Sequence, residues 1–490
     1  MSQARNCSAS TSNNPRQWPF IDRPQVNQAI GLALSSNDSK ISWVVGGTGC
    51  GKTEAIYRAT ERVHRESKKK DNLVFLIDFD RMRKSSTVSR DQVVTFLLKS
   101  ITNQMARLLP VQGCFALMRD NVAEFPDKLR ALAESKPLWG HFAKTARSTE
   151  DLWMRMAPTA SAVEEIVSGL RLGVTPEEEL SCWLPLLQRS GKSTSFAFLH
   201  TERLPHNVLL GAGSESVLSG FARFNLVLEC NDSLKTIWTM CQPDMEFNVI
   251  EVPDLPKEAV KAVFVPSLLS DDVHVETVYS LCGGRVSLLQ KLVSPLNLLN
   301  EEQRLIDQEQ EQKYRSGKEN RPSAESRELQ VSPLVYKREV ALRDSLVQGV
   351  LKADADDFQA KMDRVVDGFA PLVAARETIS ETEFKVLVCE SIRQITTTLR
   401  TAACIPLPAG ASPLEIAHPV ILALLDANIL TVSWVPAPRI VIESPLKLFL
   451  LESWCSAELD AMSLPQRTQY NLSLMRNKLN LHKQLEKLVA

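Results

Sequence analysis

The residues best suited to chemistry are Gly46, Gly47, Thr48, Gly49, Cys50, Gly51, Lys52 and Thr53. Gly46, Gly51, Lys52 and Thr53 complete the spacing G-x-x-x-x-G-K-[ST]. Glycines let successive backbone N–H groups turn inward around phosphate oxygens. Lys52 can reach the β- and γ-phosphates of a nucleotide, and the Thr53 hydroxyl suits Mg²⁺. The expected cofactors are therefore ATP or ADP with Mg²⁺, and Thr53 is the expected metal contact. Cys50 lies inside the loop, so a thiol reagent is expected to block it.

A chance match in a glycine-rich turn is the competing explanation, and the flanking elements decide against it. Ile41 to Val45 is a short apolar run that ends at the glycines, which reads as a buried strand. Ala55, Ile56, Ala59 and Val63 follow at helical spacing. A helix starting at the loop adds the partial positive charge of its N-terminus to the phosphate site.

Composition narrows the class. The chain has 490 residues, enough for several domains. Hydrophobic residues make up 44% and charged residues 23%, ordinary for a globular protein. The formal net charge of −1 gives no global basic field for nucleic acid. Ten cysteines without a C-x-x-C pair point to reduced thiols and an intracellular setting, cytoplasmic or nuclear. No apolar run approaches the roughly 20 residues that span a membrane. Residues 1–17 are Ser/Asn-rich with Arg5 and Arg16 and no acids. They read as a disordered tail, with a mitochondrial presequence as the alternative.

Further strands are expected at Leu73–Ile77, closed by Asp78 and Asp80, and at Ser195–Leu199, Phe224–Leu228 and Phe247–Val252. Residues 85–190 between them read as a helical insertion, with Thr175 capping a helix whose first turn is acidic. Strands alternating with helices predict a parallel α/β sheet. From Lys257 the pattern is helical. Residues 301–334 are a charged linker, and helices resume at Val335. Two short strands, Ile429–Val435 and Arg439–Ile442, follow a helix at Pro413–Asn428 and precede another at Leu446–Leu459. Arg467 to Val489 reads as an amphipathic terminal helix.

This order resembles the AAA+/STAND branch of P-loop ATPases, and its archaeal-type ATPases in particular. Phe20–Arg23 resembles the segment ahead of their phosphate loop, and Gly46–Thr53 matches the loop itself. Val252–Ala259 resembles the strand exit into their helical lid. Cys282–Leu289 resembles the lid's glycine motif. Leu424–Leu430 with Val441–Leu446 is similar to their winged helix. The likeness covers roughly residues 20–80, 194–300 and 375–456. It implies a P-loop NTPase core at 18–256, a helical lid at 257–300, a helical and winged-helix domain at 335–460, and a C-terminal helix at 461–490.

The departures bear on turnover. The family's third strand ends in paired acids, one for Mg²⁺ and one for the attacking water. Here His200 and Thr201 stand in their place, and Glu202 comes one residue late. A one-residue shift on a strand reverses the side chain's direction. Glu202 is thus either a catalytic acid brought in by a bulge or a surface acid. Asp78 and Asp80 are the fallback metal ligands. Asn231, ending the next strand, resembles a γ-phosphate sensor, with a polar loop residue as the alternative. Arg285 sits where the lid presents an arginine to the phosphates, with a surface arginine as the alternative. No arginine lies between Asn231 and the fifth strand, where a trans-acting finger is usual. Such fingers are worth orders of magnitude in rate.

Two further signals are weaker. Lys318, Glu319 and Asn320 resemble a KEN degron read by a ubiquitin ligase, against plain solvated charge. The Pro413–Asn428 helix carries no Lys or Arg, so DNA contact through it is not supported by charge. Histidines 64, 141, 206, 274, 418 and 482 show no ligand spacing. The expectation is an ATP-binding conformational switch with weak or absent hydrolysis and protein partners. The rivals are an active ATPase in a replication-initiator-like or other DNA-bound assembly, and a pseudo-ATPase scaffold.

Overall fold

The structure is a computed structural model. It describes residues 21–36, 40–67, 72–82, 88–190, 192–205, 208, 220–231, 247–268, 279–280, 282–291, 333–368, 372–373, 380–407, 418–434, 437–463 and 467–468. The expected tail 1–17, Phe20, most of the linker, the Lys318–Asn320 motif and the terminal helix beyond residue 468 lie outside the described residues. The chain divides into two compact units. One holds Arg23–Val45 and Lys52–Val252, and the other holds Gly46–Gly51 with the chain from Pro253 onward.

The first unit is α/β. Its five strands are β1 (Ile41–Val45), β2 (Asn72–Asp78), β3 (Ser193–Leu199), β4 (Asn225–Glu229) and β5 (Phe247–Glu251). They form one sheet in the order β2-β3-β4-β1-β5, with every pair parallel. Parallel strands are covered on both faces and read as continuous apolar runs. Trp43 and Val44 in β1 and Phe196 to Leu199 in β3 accordingly have no exposure. Helix α1 (Pro24–Ser35) starts with proline in its first turn and packs against α2 (Lys52–Ser67) and β4.

The insertion between β2 and β3 is entirely helical among the described residues. It comprises α3 (Arg90–Leu108), α4 (Val111–Asn121), α5 (Phe125–Ser135), α6 (Gly140–Thr145), α7 (Thr149–Met156), α8 (Ala160–Gly169) and α9 (Pro176–Arg189). Reciprocal capping boxes open two of them, Ser89 with Gln92 at α3 and Thr175 with Glu178 at α9. Phe115, Phe125 and Trp153 pack with ring centroids 5.8–5.9 Å apart and hold α4, α5 and α7 together.

The second unit contains α10 (Lys257–Leu268), α11 (Pro333–Gly368), α12 (Glu381–Ala402), β6 (Ile405–Pro406), α13 (Pro419–Asp426), β7 (Leu430–Ser433), β8 (Arg439–Ile442) and α14 (Pro445–Ala461). The strands make an antiparallel sheet in the order β6-β8-β7. Its hairpin falls where the alternating residues around Pro436–Pro438 put it. The third strand, β6, is two residues long and carried no sequence signal. Helix α13 starts at Pro419, and residues 408–417, the front half of the expected helix, lie outside the described residues.

Among the described residues, no helix is long and apolar enough to cross a membrane.

Candidate functional site

In the first unit the site begins where α2 starts. Lys52 and Thr53 are its first two residues, and Lys52 is 2% exposed. The Thr53 hydroxyl donates to Glu229 Oε1 at 3.0 Å. Glu229 ends β4 and has no exposure. Strand β4 lies beside β1 with Glu229 level with Val44, so this carboxylate stands at the carboxyl edge of the strand that feeds the loop.

The end of β3 is shaped around that carboxylate. His200 follows the last strand residue in the left-handed region, φ 56° and ψ 43°, and caps a short turn over Thr201–Arg203. A left-handed non-glycine residue costs about 1 kcal/mol. The turn lets the His200 N–H donate to Glu229 Oε2 at 3.1 Å and the Thr201 hydroxyl donate to the Glu229 carbonyl at 2.9 Å. Thr201 is fully buried.

The same turn brings Glu202 back toward β4. Its carboxylate accepts from the Asn231 N–H at 3.0 Å and lies 3.2 Å from His200 Nδ1. Asn231 Nδ2 also donates to it at 3.3 Å. Glu202 is therefore no surface acid, and Asn231 is no loose loop residue: together they tie the ends of β3 and β4. The hydrogen bond to Glu202 pushes the His200 imidazole up to about 9 against the opposing effect of burial, with the Glu229 and Asp78 charges adding to the rise. Burial disfavours the Glu202 carboxylate, but the His200 and Asn231 hydrogen bonds outweigh it and hold its pKa at about 2.

Asp78 and Asp80 serve the strand end. Asp78 accepts from the Asp80 N–H at 3.1 Å and meets Arg81 at 3.3 Å, while Asp80 pairs with Arg203 at 2.6 Å. Among the described residues, no group of three or more His, Cys, Asp or Glu side chains is placed to hold a metal ion.

In the second unit, the residues Gly46–Gly51 meet the turn at Gly283–Ser287. Gly49 has φ 77°, and a Cβ there would fall 2.0 Å from Ser287 Oγ. A Cβ on Gly47 would fall 1.8 Å from Arg285 Nη1. These two glycines therefore serve close approach as well as chain reversal. The Ser287 N–H donates to the Gly49 carbonyl at 3.1 Å, and Arg285 Nη1 donates to the Thr48 carbonyl at 3.1 Å. Arg285 is 4% exposed, pairs with Asp254 at 3.1 Å and donates to the Glu443 carbonyl. It is a buried joint between three chain segments, not a surface arginine.

Lys447 Nζ also contacts the Glu443 carboxylate and donates to the Asn428 carbonyl at 2.8 Å. Burial, with Lys361 and Arg285 nearby, pushes Lys447 down to about 7. Cys50 has no exposure, so the expectation of a thiol-sensitive loop is corrected: burial closes this thiol to reagents in the folded chain.

No protein-family model matches this chain. No curated protein matches it either. The site accordingly has to be read from its own residues. Of those singled out in the sequence, Glu202 and Asn231 come together, as do Gly47, Thr48 and Arg285. Glu202 has no hydrogen bond to Thr53. The residue that does, Glu229, was missed. Its signal was present as an acid closing a mostly apolar strand, Phe224–Leu228, two residues before the residue chosen as sensor.

Proposed function

We propose that this chain binds ATP or ADP at Gly46–Thr53 and uses the nucleotide as a conformational switch, with slow hydrolysis. The observation that carries the reading is the junction of β1 and α2. In the first unit, α2 opens beside the carboxyl edge of the parallel sheet with a buried lysine and a threonine hydroxyl at its N-terminus, directly after the glycine-rich stretch of the sequence. Ligands of parallel α/β sheets bind at that edge, and helix N-termini favour phosphate. The antiparallel hairpin with its flanking helices in the second unit supports a winged-helix reading. Its helix α13, PVILALLD, has no basic side chain for a DNA backbone.

Mg²⁺ fits the residues present. It takes one or two protein oxygens and leaves its other positions to phosphates and water, so Thr53 with one neighbouring carboxylate suffices. When bound, the ion neutralises charge on the β- and γ-phosphates. The Thr53 hydroxyl would hold it. Slow hydrolysis follows from what Glu202 already does. Its carboxylate is engaged with Asn231 and His200, which leaves it a poor base for water. Arg285 is engaged with Asp254 and Thr48 in the same way.

Calorimetry on Lys52→Ala tests the reading. Loss of a charge-assisted phosphate contact should cost about 1.5–3 kcal/mol, or roughly tenfold to a hundredfold in ADP affinity. Unchanged affinity would refute the site. Wild-type turnover near the ~1 s⁻¹ low end of ordinary enzymes would refute the switch reading in favour of an active ATPase.

A further inference from the structure

We propose that Glu229, from β4, is the carboxylate that sets the Thr53 hydroxyl for a divalent cation on the phosphate loop. The resembled family places its metal-side acid on β3 instead. The inference rests on the nucleotide reading above and adds to it the identity of this acid and the strand that supplies it.

The argument starts with the hydroxyl. A threonine hydroxyl has one proton to donate and two lone pairs to offer. To ligate a cation it must present a lone pair, so its proton needs another acceptor. Glu229 Oε1 is that acceptor, at 3.0 Å. A neutral acceptor could also take the proton, but a carboxylate adds the negative charge that a hydrated cation favours. Outer-shell partners of this kind orient the ligand and raise its basicity.

The second observation is that the end of β3 serves Glu229 and competes with it nowhere. His200 and Thr201 occupy the positions where paired acids were expected. Both act as donors to Glu229, the first through its N–H to Oε2 and the second through its hydroxyl to the main-chain carbonyl. The left-handed backbone at His200 makes the first of these possible. Glu229 is thereby held at both ends, with no exposure. A fully buried carboxylate needs donors or a cation to answer it, and among the described residues the group that meets its Oε1 is a hydroxyl that is itself suited to a cation. Glu202 does not take the same part: its carboxylate meets the Asn231 N–H and the His200 ring, while the Thr53 hydroxyl bonds to Glu229. It is a positioning residue for the β3–β4 ends.

The experiment is calorimetric titration of the full chain with ADP, once with Mg²⁺ and once with EDTA, for wild type, Glu229→Gln and Glu202→Gln. Thermal unfolding checks that each variant is folded. Wild type should bind more tightly with Mg²⁺. Glu229→Gln should lose about 10- to 100-fold in the Mg²⁺ arm, the usual cost of an outer-shell partner, and stay near wild type in EDTA. Glu202→Gln should keep the Mg²⁺ increment.

Equal losses for Glu229→Gln in both arms would make Glu229 purely structural and overturn the inference. So would loss of the increment in Glu202→Gln, or no increment in wild type that still binds ADP. Absence of ADP binding in both arms of wild type would instead sink the nucleotide reading, and the inference with it. Should Glu229→Gln fail to fold, Glu229→Asp keeps the charge but draws it back by one methylene. It should then show a reduced Mg²⁺ increment with unchanged EDTA affinity, and an intact increment would overturn the inference.

Discussion

Two charged clusters each take in one residue of the Gly46–Thr53 segment, Thr53 in one and Thr48 in the other, and they are built on opposite plans. The cluster at the strand ends draws one acid from each of three neighbouring strand ends: Asp78 at the end of β2, Glu202 after β3 and Glu229 at the end of β4. Among them Glu229 is answered by neutral donors, the Thr53 hydroxyl and the His200 N–H, whereas Glu202 lies against the His200 imidazole and Asp78 against Arg81. The cluster around Arg285 is answered by basic side chains. Arg285 and Lys447 face Asp254 and Glu443, and Arg285 closes on two main-chain carbonyls as well. Hydrogen-bonded acids held by neutral groups still favour an added cation. Acids already matched by guanidinium and ammonium do not. The first plan suits a site that receives an ion, and the second suits a joint that holds segments in place.

The largest effect expected from this contrast is at the joint. Arg285→Met removes the buried cation and leaves Asp254 and Glu443 behind. Stranding one partner of a buried pair is destabilising by several kcal/mol. Asp254 is 36% exposed and Glu443 keeps Lys447, so the low end applies, about 3 kcal/mol. Urea unfolding should show it. A loss within about 0.5 kcal/mol, the range of ordinary surface substitutions, would mean that Arg285 is not a joint, and the contrast between the clusters would fail.

A smaller effect is expected from the loop side of the same contact. Gly47→Ala would place a methyl 1.8 Å from Arg285 Nη1 and 2.6 Å from its Cζ. The guanidinium is pinned by Asp254 and Thr48 and cannot simply swing away, so overpacking should cost about 1–3 kcal/mol. The sharper measurement is the double variant. With Arg285→Met the pinned group is gone, and the Gly47→Ala penalty should shrink, giving a clear interaction energy in the cycle. Additive losses would show that the alanine clashes with something other than Arg285.

The two clusters also differ in how far they could be read from the sequence. The parallel strands were legible because short, mainly apolar stretches such as Leu73–Ile77 and Phe196–Leu199 alternate with helical patterns. The loop was legible because the glycines, Lys52 and Thr53 occur at fixed offsets in one short stretch. Arg285 could be picked out by its place after Gly283 and Gly284, but its partners could not. Asp254, Glu443 and Thr48 are far apart in the chain, and only folding brings them together.

Glu229 was passed over for a different reason. The resemblance put the acid on β3, so the acid closing β4 drew no attention. What redirects the geometry is the left-handed residue at His200. A non-glycine residue in that region has no reliable sequence signal, and the direction of Glu202 depends on it entirely. The two-residue strand β6 was missed because Ile405–Pro406 is too short to show any period.

The smallest effect, and the one most specific to the strand-end cluster, is a pH dependence. His200 is pushed from its ordinary 6.5 up to about 9, and Glu202 is held at about 2 against an ordinary 4.5. A raised base contributes stability that is complete below its unfolded value and fades as pH climbs through the folded one. A depressed acid contributes stability that is complete above its unfolded value and fades as pH falls through the folded one. The pair should therefore contribute most between about pH 4.5 and 6.5, and the His200 share should be lost from 6.5 to about 9.

His200→Asn isolates this share, since asparagine tolerates the left-handed region and carries no charge. The groups facing residue 200 would stay in place: Glu202 on its own turn, Asp78 from β2, Glu229 from β4 and Asn231 just after it. Because the His200 and Glu202 side chains are 24% and 22% exposed, solvent screens the pair, and its loss should amount to only about 1 kcal/mol at pH 6. The informative result is the slope. Wild-type stability should decline between pH 6.5 and 9 by more than that of His200→Asn. Parallel curves for the two proteins would mean that the imidazole is not held charged by the strand-end acids.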